Sequence, residues 1–213
     1  MSVNQPNSSS QPSNINQATS NQATREQLGV APDRAGLVLQ RGGEELLLTK
    51  LPDRFVVQGI PAVINRLMQS QAMRATQGIA PAQLTEFVTH PAALERIMSQ
   101  VRTLPGVNFV SHVYQLQTSP GSSVYVTNEL TVQFTPEGAH QAAAIADALR
   151  LSLREPLAGI PDTFIFEVLP LAEANPIKIA NYLMRQSFVI TAEPNAIIRQ
   201  QPHYRPRDAL YPR

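Results

Sequence analysis

Apolar positions in this chain fall into short alternating runs joined by helical stripes, and the order is repeated. Two runs, Leu37-Val-Leu-Gln-Arg41 and Glu44-Glu-Leu-Leu-Leu-Thr-Lys50, flank Gly42-Gly43. That spacing predicts a hairpin, because a tight primed turn needs positive φ. Pro52-Asp53 predicts a break before another strand, Arg54-Phe-Val-Val-Gln58. Pro61 opens a predicted helix with Val63, Ile64, Leu67 and Met68 at helical spacing. Leu84–Thr89 reads as a short strand, and Pro91 opens a helix with a stripe of Leu94, Ile97, Met98, Val101 and Leu104. Pro105-Gly106 stops it, Val107–Leu116 follows as a strand, and Ser119–Ser123 reads as a turn.

The second pass has the same order. Val124–Phe134 reads as a strand with Leu130, Val132 and Phe134 on one face and Glu129, Thr131 and Gln133 on the other. Glu137–Arg150 reads as an alanine-rich helix with Ala142, Ile145, Ala146 and Leu149 inward. Strands at Leu151–Arg154 and Thr163–Val168 follow. Asn175-Pro176 is a cap with proline at the first helical position, before the buried face Ile177, Ala180, Leu183 and Met184. The last apolar run begins at Phe188 and passes into a proline-punctuated tail.

Gln77–Val88 matches Ala158–Val168, and Val107–His112 matches Val189–Pro194. The offset is roughly 80 residues, the size of a small domain and too long for a solenoid repeat. The expected class is therefore α+β: two tandem ferredoxin-like (split βαβ) modules, antiparallel sheets with helices on one face. The expected divisions are a disordered tail over 1–35, a first module over 36–118, a second over 119–201, and a linker over 202–213. The tail is dominated by Gln, Asn, Ser and Thr, and its first charged side chain is Arg25. Such a segment has too little apolar surface to offset the entropy of ordering. An open sheet face meets either water or a partner, and Ile165 lies opposite Phe164 and Phe166 on its strand.

Composition mainly excludes. A net charge of +1 over 213 residues provides no concentrated basic face for nucleic acid or an anionic membrane. The absence of cysteine removes disulfides, thiolate catalysis and Cys-containing zinc sites. No apolar run approaches the ~20 residues of a membrane span, and no secretory signal is visible, so the cytoplasm is the default expectation.

Candidate chemistry is sparse. His90, His112, His140 and His203 have no metal-ligand spacing, and a structural or solvent role is expected for each. Glu44-Glu45 points to opposite faces of a strand and makes no carboxylate dyad. Gly-x-Gly-x-x-Gly, the phosphate-binding Gly-x-x-x-x-Gly-Lys-Ser/Thr and the Gly-x-Ser-x-Gly elbow are all absent. No catalytic residue, metal site or cofactor is expected.

Val189-Ile-Thr-Ala-Glu-Pro-Asn195, taken with Asp208-Ala-Leu-Tyr-Pro-Arg213, resembles the prodomain region of bacterial subtilases, the subtilisin-like serine peptidases. Asn128–Phe134 is similar to the family's first prodomain strand, and the first half resembles the extra module of fervidolysin-type members. The resemblance covers about Leu37 to Arg213. The family's catalytic phrases (Asp-Ser/Thr-Gly, His-Gly-Thr-His and Gly-Thr-Ser-Met-Ala) are absent. The resemblance implies an intramolecular chaperone and inhibitor whose partner is a subtilisin-like catalytic domain, in cis or in trans. It places Ile165 on the protease-facing sheet and Glu193 at the N-terminus of a protease helix. Asn195 falls where relatives carry a second acid. Ile197, Ile198, Arg199, Gln200 and Gln201 would leave the last strand as a tail unpaired within the chain and lie as a product-like strand in the cleft, pairing there by β-augmentation. The first module, with Ser111 and Val113 at the equivalent positions, is expected to be structural. The alternative is a stand-alone ferredoxin-like module that binds a ligand or another protein.

Overall fold

The structure, a computed structural model, describes residues 36–39, 45–170, 172 and 174–200. The expected leader over 1–35 and the linker over 202–213 lie outside these residues, as do Gln201, His203 and the Gly42-Gly43 turn.

Most strands form where apolar and polar side chains alternate; α1, α2 and α4 follow a proline at or just before their start, whereas α3 follows a short turn over Ala139–Gln141 with no side-chain cap. In chain order they are β1 (Gly36–Leu39), β2 (Glu45–Gly59), α1 (Pro61–Met68), β3 (Met73–Ile79), β4 (Leu84–Thr89), α2 (Leu94–Arg102) and β5 (Val107–Leu116). The second half continues with β6 (Ser119–Phe134), α3 (Ala142–Leu149), β7 (Leu151–Pro156), β8 (Thr163–Val168), α4 (Pro176–Met184) and β9 (Val189–Gln200). The Asn175 side chain accepts the Lys178 N–H at 2.9 Å and so starts α4 as its cap pattern predicts. Gly106 has φ +86° in the turn that ends α2, and a Cβ there would lie 2.8 Å from the Ile60 side chain, so glycine is required.

Every pairing is antiparallel. The first half runs β5-β2-β4-β3 and the second β9-β6-β8-β7, which is the strand order of the split βαβ read twice. The two halves do not form separate sheets. Val113 pairs with Tyr125 and Tyr114 with Val124, joining β5 to β6 in a single nine-stranded sheet among the described residues.

The four α-helices among the described residues cover the same face. In the first half Phe55, Val57 and Phe87 pack beneath Val63 and Leu67 of α1 and Leu94, Ile97, Met98 and Val101 of α2. In the second, Leu130, Val132, Phe134 and Phe166 pack beneath Ala142 and Ala146 of α3 and Ile179, Ala180 and Leu183 of α4. Ile177 of α4 reaches Tyr114, Val124 and Val126 and seals the junction between the halves.

Several boundaries differ from those expected. Pro52-Asp53 does not end a strand. β2 runs through it, with a register shift against β5 between Lys50 and Phe55. Proline has no N–H for a ladder, so it sits at the irregularity where β2 exchanges β1 for β4 as neighbour. Ser119–Ser123 is not a turn, because Leu116 pairs with Ser119 and the chain reverses at Gln117-Thr118. β3 was not foreseen. Its alternation rests on Met73 and Ala75 against Arg74 and Thr76, residues too weakly apolar to register as a strand. Met68, expected inward, is 47% exposed at the end of α1.

Candidate interaction site

The face of the sheet without helices is built differently in the two halves. In the first half it is covered by the sheet itself. Gln77 on edge strand β3 donates to the Tyr125 hydroxyl on β6 at 2.7 Å, four strands away. At about 4.8 Å between strands, those positions would be roughly 19 Å apart in a flat sheet. The sheet must therefore coil, with this face concave. The hollow is filled by Val56, Ile79, Leu84, Phe109, Val113 and Tyr125, with Ile197 packed against them.

A carboxylate lies within this second core. Glu86 is fully buried and accepts from Arg54 Nη1 at 3.1 Å, Gln77 Nε2 at 2.5 Å and the Tyr125 hydroxyl at 2.7 Å. A buried charge is tolerated when paired and hydrogen-bonded, as it is here. Burial pushes the Tyr125 hydroxyl up to about 12, aided by its bond to the Glu86 carboxylate. The chain's end also reaches this cluster, because the Arg199 guanidinium donates to Gln77 Oε1. None of these contacts was expected from the sequence. One signal was available: Glu86 shares a strand face with Leu84 in a run too apolar for a solvated acid.

In the second half the same face is the more open one among the described residues. Thr131 on β6 pairs with Ile165 on β8 and with Glu193 on β9, so the two candidates flank one residue across three strands. Ile165 is half-buried and Glu193 exposed. Ser111, the counterpart of Glu193 in the first half, is only 3% exposed, and Val113, the counterpart of Asn195, is fully buried. The surrounding positions are polar. Asn195 donates from Nδ2 to Glu129 Oε2 at 3.3 Å and accepts at Oδ1 from Thr131 Oγ1 at 3.1 Å, which holds its carboxamide flat along the sheet. Glu167 accepts from Asn128 Nδ2 at 2.8 Å and pairs with Arg154.

The tail differs from expectation. Ala196, Ile197, Ile198, Arg199 and Gln200 are not unpaired. They extend β9 in register with Val126, Tyr125, Val124, Ser123 and Ser122 of β6. The reason is the amino-terminal end of β6, whose Ser119–Ser123 segment supplies a template where a turn was expected. Ile197 and Arg199 therefore point to the concave face, while Ile198 is 52% exposed on the other side.

Two of the described histidines have structural contacts. His90 Nδ1 accepts from Ala92 N–H at 3.3 Å and caps a short turn, and His112 Nε2 lies 2.7 Å from Glu95 Oε1 beneath α2. His140 is exposed. Among the described residues no group of three or more His, Asp or Glu could hold a metal, and no helix is long and apolar enough to cross a membrane.

No protein-family model matches the chain, and a comparison with curated proteins finds no match. Among solved structures it is similar to the acetolactate synthase small subunit from Thermotoga maritima, at 13% identity over 70% of this chain and 96% of that one. The TM-score of 0.24 is too low for that likeness to carry an argument. The strand order and the two faces of the sheet stand on their own.

Proposed function

We propose that this chain is a propeptide-like chaperone and inhibitor of a subtilisin-like serine protease, docking through the more open face of its second half. The observation that carries this reading is the asymmetry between the halves. The first closes its helix-free face over Glu86, whereas among the described residues the second leaves Glu193 exposed and Thr131 and Ile165 only half-buried. This patch leads directly into the segment Ala196–Gln200. The resemblance of Val189–Asn195 to the closing strand of subtilase prodomains supports the same assignment.

In this reading Ile165 supplies apolar contact at the centre of the patch. Glu193 is exposed at the edge strand, where its carboxylate meets the N-terminus of a protease helix. Free N–H groups and the helix dipole favour an anion there. Asn195, already tied to Glu129 and Thr131, lends a neutral polar contact beside it. The strand beyond, Ile197, Ile198, Arg199 and Gln200 with Gln201, occupies the substrate cleft by main-chain pairing. Folding assistance follows from the same contact, since a partner that binds only the native protease stabilises it by mass action.

The test is competitive inhibition of a purified subtilisin-like catalytic domain by the chain. Glu193→Ala and Ile165→Arg are each expected to weaken inhibition about tenfold or more, the equivalent of ~1.4 kcal/mol. Glu137→Gln, at an exposed position before α3, serves as control and is expected to change nothing. Absence of inhibition by the parent chain would remove the reading and favour the stand-alone binding module.

A further inference from the structure

We infer that Ala196–Gln200 is a stored strand, held closed on β6 and latched to the first half through Arg199, and that it must leave this position before it can fill a cleft. The inference rests on the docking reading for what the strand does once released, but the closed state itself is independent of any partner.

Three contacts hold the segment. Its backbone pairs with Ser122–Val126 over five consecutive positions. Ile197 packs into the concave core beside Val56, Val113 and Tyr125. The Arg199 guanidinium binds Gln77, whose amide is itself fixed by Glu86 and Tyr125. The latch therefore runs from β9 to β3 and depends on the buried Glu86 carboxylate of the first half. A cleft that reads an extended peptide takes the side chains on both faces and pairs along its backbone. With one edge on β6 and two side chains turned inward, the closed strand offers a cleft only its outer edge and the side chains of Ala196, Ile198 and Gln200. Closed and cleft-bound forms exclude each other.

This gives the first half a role beyond scaffolding: it sets the fraction of molecules whose tail is free. Binding exchanges one ladder for another, so apparent affinity is reduced by the fraction closed. Loosening the latch should strengthen inhibition, and locking it should abolish cleft occupancy.

Two measurements test this. The first is hydrogen exchange on the free chain. Gln77→Ala, outside the docking patch, is expected to raise exchange at Ile197–Gln200 at least tenfold while β8 stays protected, and to speed the onset of protease inhibition. Unchanged protection of Ile197–Gln200 in a folded Gln77→Ala chain would overturn the latch. The second is a reversible lock. The parent chain has no cysteine, and Ser122 and Gln200 are paired in register, at the ~4.5–5.5 Å Cα separation a disulfide accepts. Oxidised Ser122→Cys/Gln200→Cys should lose cleft blockade and regain it on reduction, and equal inhibition in both states would overturn the need for release. If the reduced form and the parent both fail to inhibit, the docking reading fails, and hydrogen exchange alone then decides the latch.

Discussion

At the scale of single residues, the most consequential side chain is Glu86. Its carboxylate is fully buried and depends on Arg54, Gln77 and Tyr125 for compensation. Removing one partner of such a cluster leaves the others buried and unpaired. Glu86→Ala is expected to destabilise the chain by about 3 kcal/mol in urea unfolding, and Glu86→Gln by less, because the amide keeps part of the bonding. His112 gives the chain a pH dependence. Burial pushes its imidazole below the usual value of 6.5, against the pull of the Glu95 carboxylate. The folded state therefore binds this proton less tightly than the unfolded chain. Its contribution is complete above 6.5 and is lost as pH falls toward the lower folded value. Glu95 acts in the same direction: burial raises it, but His112 brings it below its ordinary value overall, so stability is lost as it protonates. Urea midpoints should fall as pH drops below 6.5, and His112→Gln should flatten the upper part of that fall.

At the scale of elements, legibility followed the range of the interaction. β4, β5 and β8 were readable because local alternation and punctuation define them. The two faces of β6 were equally plain in Leu130, Val132 and Phe134 against Glu129, Thr131 and Gln133. β3 was hidden because its partner is β4 and its own residues have little strand preference. The pairing of Ala196–Gln200 was hidden because its template, Ser119–Ser123, carries proline, glycine and serine, the residues of a turn. Arg199 and Gln77 stand 122 positions apart, beyond the reach of any local pattern. This pairing also alters how the tail is tested. Ending the chain after Ala192 would remove positions paired with Leu130 and Thr131, whereas ending it after Asn195 leaves that ladder whole. The form ending at Asn195 is expected to unfold cooperatively, with a modest loss of stability from the exposed concave core around Tyr125.

At the scale of the whole molecule, the two halves share one strand order and differ in the face that carries no helices. Both halves place helices on the same side of a shared sheet, so nothing in the helical cores distinguishes them. The difference is coil: the first half wraps its free face around Leu84, Val113 and Tyr125, and the second keeps its face open around Thr131. The repeated order of strands was legible in the sequence. Which copy would be covered was not, because the cover comes from strands of both halves meeting across the concavity. The account joins the open face and the strand beyond it into one inhibitor. The most direct measurement is therefore inhibition of a subtilisin-like catalytic domain by the intact chain and by the chain ending at Asn195. The account predicts that the intact chain competes with substrate, while the shortened chain still binds the protease but leaves peptide hydrolysis largely unaffected. Equal inhibition by both forms, or by neither, would contradict it.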